Sequence, residues 1–127
     1  AEGFDSAAAE LLKTRFALDP AVAQHLMRAY GGKAEQVAGL LAQVGSARLA
    51  PGHPFLEAEV VWAARQELAQ TALDVLARRT RLAFLDQAAA KTALPRVVEL
   101  LAAELGWDAG RQKREIVDGP KRIDAGI

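Results

Sequence analysis

The stretch LEAEVVWAARQELAQTALDVLARRTRLAFL, residues 56–85, decides the fold. Its core-type residues recur in steps of three and four, the spacing that places them on one face of a helix: Val61, Ala64, Leu68, Thr71 and Val75. The opposite face carries charged and amide side chains. There Asp74 precedes Arg78 by four residues, an order of acid and base that stabilises a helix. The pattern predicts one core helix, or two helices joined end to end.

The composition favours close-packed helices in a single domain. Alanine and leucine supply much of the 51% hydrophobic content, and only 6% of the 127 residues are aromatic. Lys+Arg and Asp+Glu both total 16, so no net positive field attracts nucleic acid. The absence of cysteine excludes disulfides, thiolate metal sites and cysteine nucleophiles. No apolar run reaches the roughly 20 residues of a membrane span, so we expect a soluble chain.

Capping signals predict a helical hairpin on the N-terminal side. Asp19-Pro20 combines an N-cap acceptor with a proline at the first helical position, and the helix that follows should run to Tyr30. Gly31-Gly32 stops that helix, and Lys33–Gln43 resumes it in a second arm. Residues 1–17 are then a lead-in that carries one weakly amphipathic helix.

The C-terminal half is predicted to contain two further helices and a tail. Asp86 caps a short helix that runs through Ala90, Pro95 starts the next one, and Gly106 closes it. Beyond this point we expect a frayed helix to about Ile116 and then a loose tail. The prediction is therefore an all-α fold of five to seven helices, with the helical domain at 18–110 and the frayed helix and tail at 111–127.

Glycines and histidines give no sign of a cofactor or metal site. The glycine pair at 31–32 and the glycines near 106–110 do not follow a strand, which disfavours a nucleotide or flavin loop in this chain. His25 and His53 are far apart in sequence and have no carboxylate at a liganding spacing. We interpret the first as a partly buried imidazole and the second as a loop residue at the surface.

Two acids and two tryptophans have structural interpretations as well. Glu57 and Glu59 would point about 200° apart on a helix, so they cannot act as a carboxylate pair and are interpreted as first-turn acids favoured by the helix dipole. Trp62 and Trp107 are potential ligand platforms, but in a domain with few aromatic residues they are expected to fill the core.

The strongest candidate site is the cluster Arg78, Arg79, Thr80 and Arg81. Guanidinium groups match carboxylates and phosphates, and Thr80 offers a hydroxyl donor. The alternative is a solvated helix end, where cations are stabilised by the helix dipole. From the residues alone, an interdomain or anion contact and a solvated helix end stay equally open.

Part of the sequence is similar to a known family. EAEVVWA (57–63), TALDVLARRTRLAFLD (71–86), the LP at 94–95 and ELGW (104–107) resemble the carboxy-terminal helical domain of the FAD-dependent, membrane-associated glycerol-3-phosphate dehydrogenases. The resemblance covers roughly residues 18–110, and RRTRLAFLD is its most specific part.

The resemblance implies that this chain is an accessory part of an oxidoreductase. The parent enzyme would oxidise sn-glycerol 3-phosphate to dihydroxyacetone phosphate, with electrons passing to FAD and then to quinone, or to oxygen in some members. It would lie at the bacterial cytoplasmic membrane or the mitochondrial inner membrane. Its flavin and catalytic residues belong to a preceding domain, so the resemblance assigns no catalytic, cofactor or metal residue to this chain.

The partner implied by the resemblance is the enzyme's own N-terminal FAD domain. In this interpretation Arg78, Arg79 and Arg81 fix the two domains together, and one arginine secures the 81–86 turn through Asp86. The competing hypothesis is an autonomous module that binds a protein or forms a homodimer through the Leu56–Leu85 face. Nucleic-acid binding is disfavoured because the net charge is zero.

Overall fold

The computed structural model describes residues 6–126, and it confirms the all-α prediction. The described residues form eight α-helices and no strand, with one isolated bridge between Arg48 and Leu56. Two of the helices are only four residues long. The helices are α1 (Ser6–Phe16), α2 (Pro20–Tyr30), α3 (Ala34–Gly39), α4 (Leu41–Val44), α5 (Glu57–Gln66), α6 (Leu82–Leu85), α7 (Gln87–Leu105) and α8 (Ala109–Asp124). A 3₁₀ turn spans Gly31–Lys33 and a π-helical turn spans Asp74–Arg79.

The N-terminal hairpin forms where its capping residues predicted it. The Asp19 carboxylate accepts the backbone N–H of Ala21, and Gly31 ends α2 with a φ of +53°, a conformation that glycine adopts without steric cost. The second arm is divided at Leu40 into α3 and α4. Helix α1 lies in the segment that was predicted to be a lead-in, and it packs on α2 and α3. These helices bury a first apolar cluster with residues that include Leu12, Leu18, Val22, Leu26, Val37 and Trp62.

The central stretch is not one helix, nor two joined end to end. Helix α5 ends at Gln66, and Leu68 has a left-handed φ of +58° and a side chain that is 81% exposed. The Asp74 carboxylate turns back to accept the N–H groups of Gln70 and Thr71, instead of serving the expected pair with Arg78. These local bonds replace helical ones and create a connection at 67–71.

A second, larger core lies beneath this connection. It gathers buried residues from α5, the π turn, α6, α7 and α8, among them Val60, Val75, Leu76, Leu82, Val97, Leu101 and Ile123. Val61 is 3% exposed and Val75 is fully buried. Most of the apolar face of 56–85 is used inside the chain, while Leu68, Phe84 and Leu85 are exposed. The homodimer through this stretch stays a prediction.

Helix α7 runs through Pro95, so the predicted break between Ala90 and Leu94 is wrong. Asp86 caps its start as expected, accepting the N–H of Ala89, and Gly106 ends it with a φ of +73°. The Pro95 ring lies on the exposed side, where water can reach the carbonyl that a proline leaves without its donor. Burial of the residues around it, including Leu94 and Val97, keeps the helix continuous.

The predicted loose tail is also wrong, since α8 continues to Asp124. Its Ile123 is 1% exposed within the larger core. A Cβ at Gly119 would lie 2.6 Å from Leu94 Cδ2, so the absence of a side chain allows α8 to approach α7 closely. Gly119-Pro120 indicates a helix end locally, but contact with α7 overrides that signal.

Within residues 6–126, none of the helices has both the length and the apolar character that crossing a membrane requires.

Candidate interaction site at the arginine cluster

Thr80 in the candidate cluster is a structural residue, not a ligand donor. It is 3% exposed. Its hydroxyl donates to the Val75 carbonyl at 3.1 Å and lies 3.2 Å from the Leu82 N–H, which donates to it. The Thr80 N–H also bonds to the Val75 carbonyl, a five-residue step that closes the π turn. The predicted hydroxyl contact to an anion is therefore wrong.

Arg78 and Arg81 do not share a helix face, because the helical path ends between them. Arg81 has a left-handed φ of +59°, a strained conformation for a residue with a Cβ. It places the guanidinium over the Phe84 ring, 5.8 Å from the ring centroid. Arg78 stands on the last turn of the π segment and lines a cleft of about 300 Å³ with Phe84 and Arg122. Both arginines are exposed.

Arg79 faces inward to the rest of the chain. Its Nε lies 2.7 Å from Glu67 Oε1, and its guanidinium carbon is 5.8 Å from the centre of the Tyr30 ring. Arg79 thus joins the connection at 67–71 to the end of α2. Of the three candidate arginines, Arg79 is the one that contacts an acid and an aromatic ring of other segments of the chain.

The Tyr30 contact leads into a buried polar network that sequence reasoning missed. Glu59 is 1% exposed, and its Oε1 accepts the Tyr30 hydroxyl at 2.8 Å and lies 2.8 Å from His25 Nε2. Its Oε2 accepts the Leu56 N–H at 2.7 Å. Burial, and next the charge of Glu59, raise the pKa of Tyr30 above its usual range. The available sequence signal was an acid inside the apolar run of α5.

Glu57 and Glu59 act separately, as predicted. Glu57 Oε1 accepts from Arg96 Nη2 at 2.9 Å, which raises the pKa of Arg96. Both acids lie in the first turn of α5, as predicted, and both are buried there.

Asp86 pairs with a histidine instead of an arginine of the cluster. Its Oδ2 lies 2.9 Å from His53 Nε2 while Oδ1 accepts from Ala89. The bond from the Ala89 N–H, followed by that from His53, lowers the pKa of Asp86. The expected contact from the arginine cluster to Asp86 is therefore wrong. His53 thereby holds the loop at 45–56 against the start of α7.

The remaining predicted residues have structural positions. His25 and His53 each contact one carboxylate, with side chains 14% and 23% exposed. Trp62 is buried in the first cluster, and Trp107 packs on the larger core, as expected. Within residues 6–126, no group of three or more His, Cys, Asp or Glu side chains is placed to hold a metal ion.

A flavin does not fit the residues that the structure describes. Dinucleotides are bound where a glycine-rich loop joins a strand to a helix, and residues 6–126 contain no strand. Gly31-Gly32 follows a helix, and Gly106 joins α7 to α8.

The family of the chain is decided by comparison with known proteins. The model of the C-terminal domain of alpha-glycerophosphate oxidase matches residues 1–112. The chain belongs to this family. The match to the glycerophosphate oxidase C-terminal family includes α1, which sequence reasoning had set apart as a lead-in, and ends early in α8. The division at 18 and 110 stays a prediction.

Curated relatives of this family are whole enzymes. The chain is 54% identical over 101 residues to a mitochondrial glycerol-3-phosphate dehydrogenase of Arabidopsis thaliana, covering 79% of this chain and 16% of the relative. It is 43% identical over 107 residues to the human mitochondrial enzyme, covering 80% and 15%. A probable mitochondrial glycerol-3-phosphate dehydrogenase of Dictyostelium discoideum is 42% identical over 108 residues, covering 84% and 17%. The chain therefore spans about a sixth of these relatives' length. No solved structure matches it.

Proposed function

We propose that this chain is the accessory C-terminal domain of an FAD-dependent glycerol-3-phosphate dehydrogenase. The full polypeptide would oxidise sn-glycerol 3-phosphate to dihydroxyacetone phosphate and deliver the electrons to quinone. The observation that carries the proposal is the family match over residues 1–112, together with relatives named for this activity.

The division of labour follows from what the described residues offer. They contain no strand to precede a flavin loop and no metal cluster. The buried acids are already used: Glu59 holds α2 and α5 together, and Glu57 binds Arg96. We therefore assign flavin binding and catalysis to a preceding domain, against which this domain would pack.

The full enzyme would work at a membrane, and this chain would form one domain of it. The relatives are mitochondrial enzymes.

The proposal is tested by assaying the full-length protein with sn-glycerol 3-phosphate. We expect dihydroxyacetone phosphate to form with a soluble quinone as the electron acceptor, and little turnover with oxygen alone. Hydrogen peroxide formed in step with product would show that oxygen is the acceptor and would contradict the quinone assignment. A protein that binds no flavin and leaves the substrate unchanged would refute the proposed function as a whole.

A further inference from the structure

The arginines of the surface divide into those with an ion pair inside the chain and those without one. Each of six other arginines forms an ion pair with an acidic side chain: Arg15, Arg48, Arg65, Arg79, Arg96 and Arg111. Within residues 6–126, by contrast, Arg78, Arg81, Arg114 and Arg122 have no ion pair, and three of these, Arg78, Arg81 and Arg122, lie close together.

These three arginines surround one exposed aromatic ring. Arg78 from the π turn and Arg122 from α8 line the cleft beside Phe84, and Arg81 covers the ring of Phe84. The Phe84 side chain is 52% exposed, and its neighbour Leu85 is 65% exposed. We call Arg78, Arg81, Phe84 and Arg122 the arginine–phenylalanine face.

The backbone beneath this face is held in a fixed and strained geometry. The buried Thr80 hydroxyl bonds to both the Val75 carbonyl and the Leu82 N–H. These bonds fix the residue before Arg81, whose φ is +59°. This left-handed residue joins the π turn to α6, so that the next residue, Leu82, is fully buried while the Arg81 side chain stays at the surface. Residues in such uncommon backbone conformations cluster at ligand-binding and switch sites.

We propose that the arginine–phenylalanine face docks on a carboxylate-bearing surface of the preceding domain in the same polypeptide. This inference rests on the proposed function, since it takes that domain as the partner. Arginine and aromatic residues are enriched in the centres of interfaces, where guanidinium groups pair with carboxylates in two-pronged geometry.

Two observations favour this partner. The chain covers only 16% of its Arabidopsis relative, so most of such a polypeptide lies outside it. The Asp74 carboxylate also lines the cleft, but it already accepts the N–H groups of Gln70 and Thr71 and forms no ion pair with the arginines. We therefore take the carboxylates that complement the face to come from the rest of the polypeptide. Arg79 is not part of the docking surface, because it is bound to Glu67.

Hydrogen exchange in the full-length protein tests the proposal. The double charge reversal Arg78→Glu/Arg122→Glu should speed amide exchange at residues 80–85 on the order of tenfold, since that segment would lose its cover. Amides of α7 around Val97–Leu101 should exchange as before, which would show that the core is intact. Arg78→Lys/Arg122→Lys keeps the charge and should retain most of the protection.

A matched control changes the same amount of charge elsewhere. Lys33 and Lys113 are exposed and have no ion pair within residues 6–126. Lys113 lies about 180° around α8 from Arg122. Lys33→Glu/Lys113→Glu should therefore leave exchange at 80–85 unchanged.

The outcomes separate this surface from the proposed function. If the wild-type protein binds flavin and oxidises glycerol 3-phosphate, yet exchange at 80–85 is identical in the reversal variant, the docking surface is refuted and the function stands. Protection that disappears on dilution would assign the face to a second copy, and protection that needs phosphatidylglycerol vesicles would assign it to a lipid surface. Either result overturns the proposal. A wild-type protein without flavin or activity refutes the function itself.

Discussion

Replacing Glu59 with leucine should be among the most destabilising changes in this domain. Leucine has a similar volume, so the cavity is small, but it leaves the Tyr30 hydroxyl, the His25 imidazole and the Leu56 N–H without their acceptor. Each buried donor left without an acceptor costs about 1–3 kcal/mol, and a domain has only about 5–15 kcal/mol in total. Because three groups lose their acceptor, we expect Glu59→Leu to lower the free energy of unfolding by about 3 kcal/mol or more.

A nearby acid supplies the control. Glu57 is also buried, but its partner Arg96 is half exposed and can be hydrated after the change. Glu57→Leu should cost about 1 kcal/mol or less. Both values come from urea unfolding followed by helical circular dichroism.

A double-mutant cycle isolates the Tyr30 bond. Tyr30→Phe alone should cost about 1.5–3 kcal/mol, the range for hydrogen bonds to charged groups. Combined with Glu59→Leu it should add much less, because the acceptor is already gone. A Glu59→Leu loss no larger than that of Glu57→Leu, or strict additivity with Tyr30→Phe, would refute the network.

Three further predictions concern packing and pH. Gly119→Ala should lower the free energy of unfolding by about 1–3 kcal/mol because the new methyl group meets Leu94 of α7. Gly39→Ala is the control: its methyl group meets nothing within 4 Å, so the change should be neutral or stabilising. Thermal melts of the two variants test this. Ile123→Ala should cost about 2–5 kcal/mol in urea unfolding, and a loss under about 1 kcal/mol would restore the loose-tail prediction. The raised pKa of Tyr30 means that the unfolded chain loses this proton first as pH rises, so stability should fall above about pH 10; Tyr30→Phe should weaken that slope.

Local signals in the sequence predicted the ends of helices well. Asp19, Gly31, Asp86 and Gly106 act within one turn of the chain, and each caps the helix end expected of it. The all-α fold and the burial of Trp62 followed from composition and periodicity, which are likewise local or summed properties.

The errors arose where distant contacts override local preference. Pro95 sits inside α7 and Pro120 inside α8 because buried neighbours hold both helices together. The periodicity of 56–85 suggested continuity, but Asp74 and the left-handed Leu68 divide it.

The candidate site was predicted only in part. The arginine cluster was identified, but its four members differ in role. Arg79 differs from Arg78 and Arg81 because it contacts Glu67 and Tyr30. These two residues are remote from one another in sequence. Arg122, which joins Arg78 at the cleft, lay in the segment assigned to a tail. The Glu59 network likewise joins residues that only the folded hairpin brings together.

The most direct test of the central claim is an anaerobic titration with sn-glycerol 3-phosphate, followed by the visible absorbance of oxidised flavin. It is made on the full-length protein and on this 127-residue chain. The account predicts that the full-length protein is yellow and bleaches in proportion to the dihydroxyacetone phosphate formed, while the chain alone is colourless and unchanged. A chain that purifies with stoichiometric flavin and bleaches with substrate would contradict the account, as would a full-length protein that shows no bleaching.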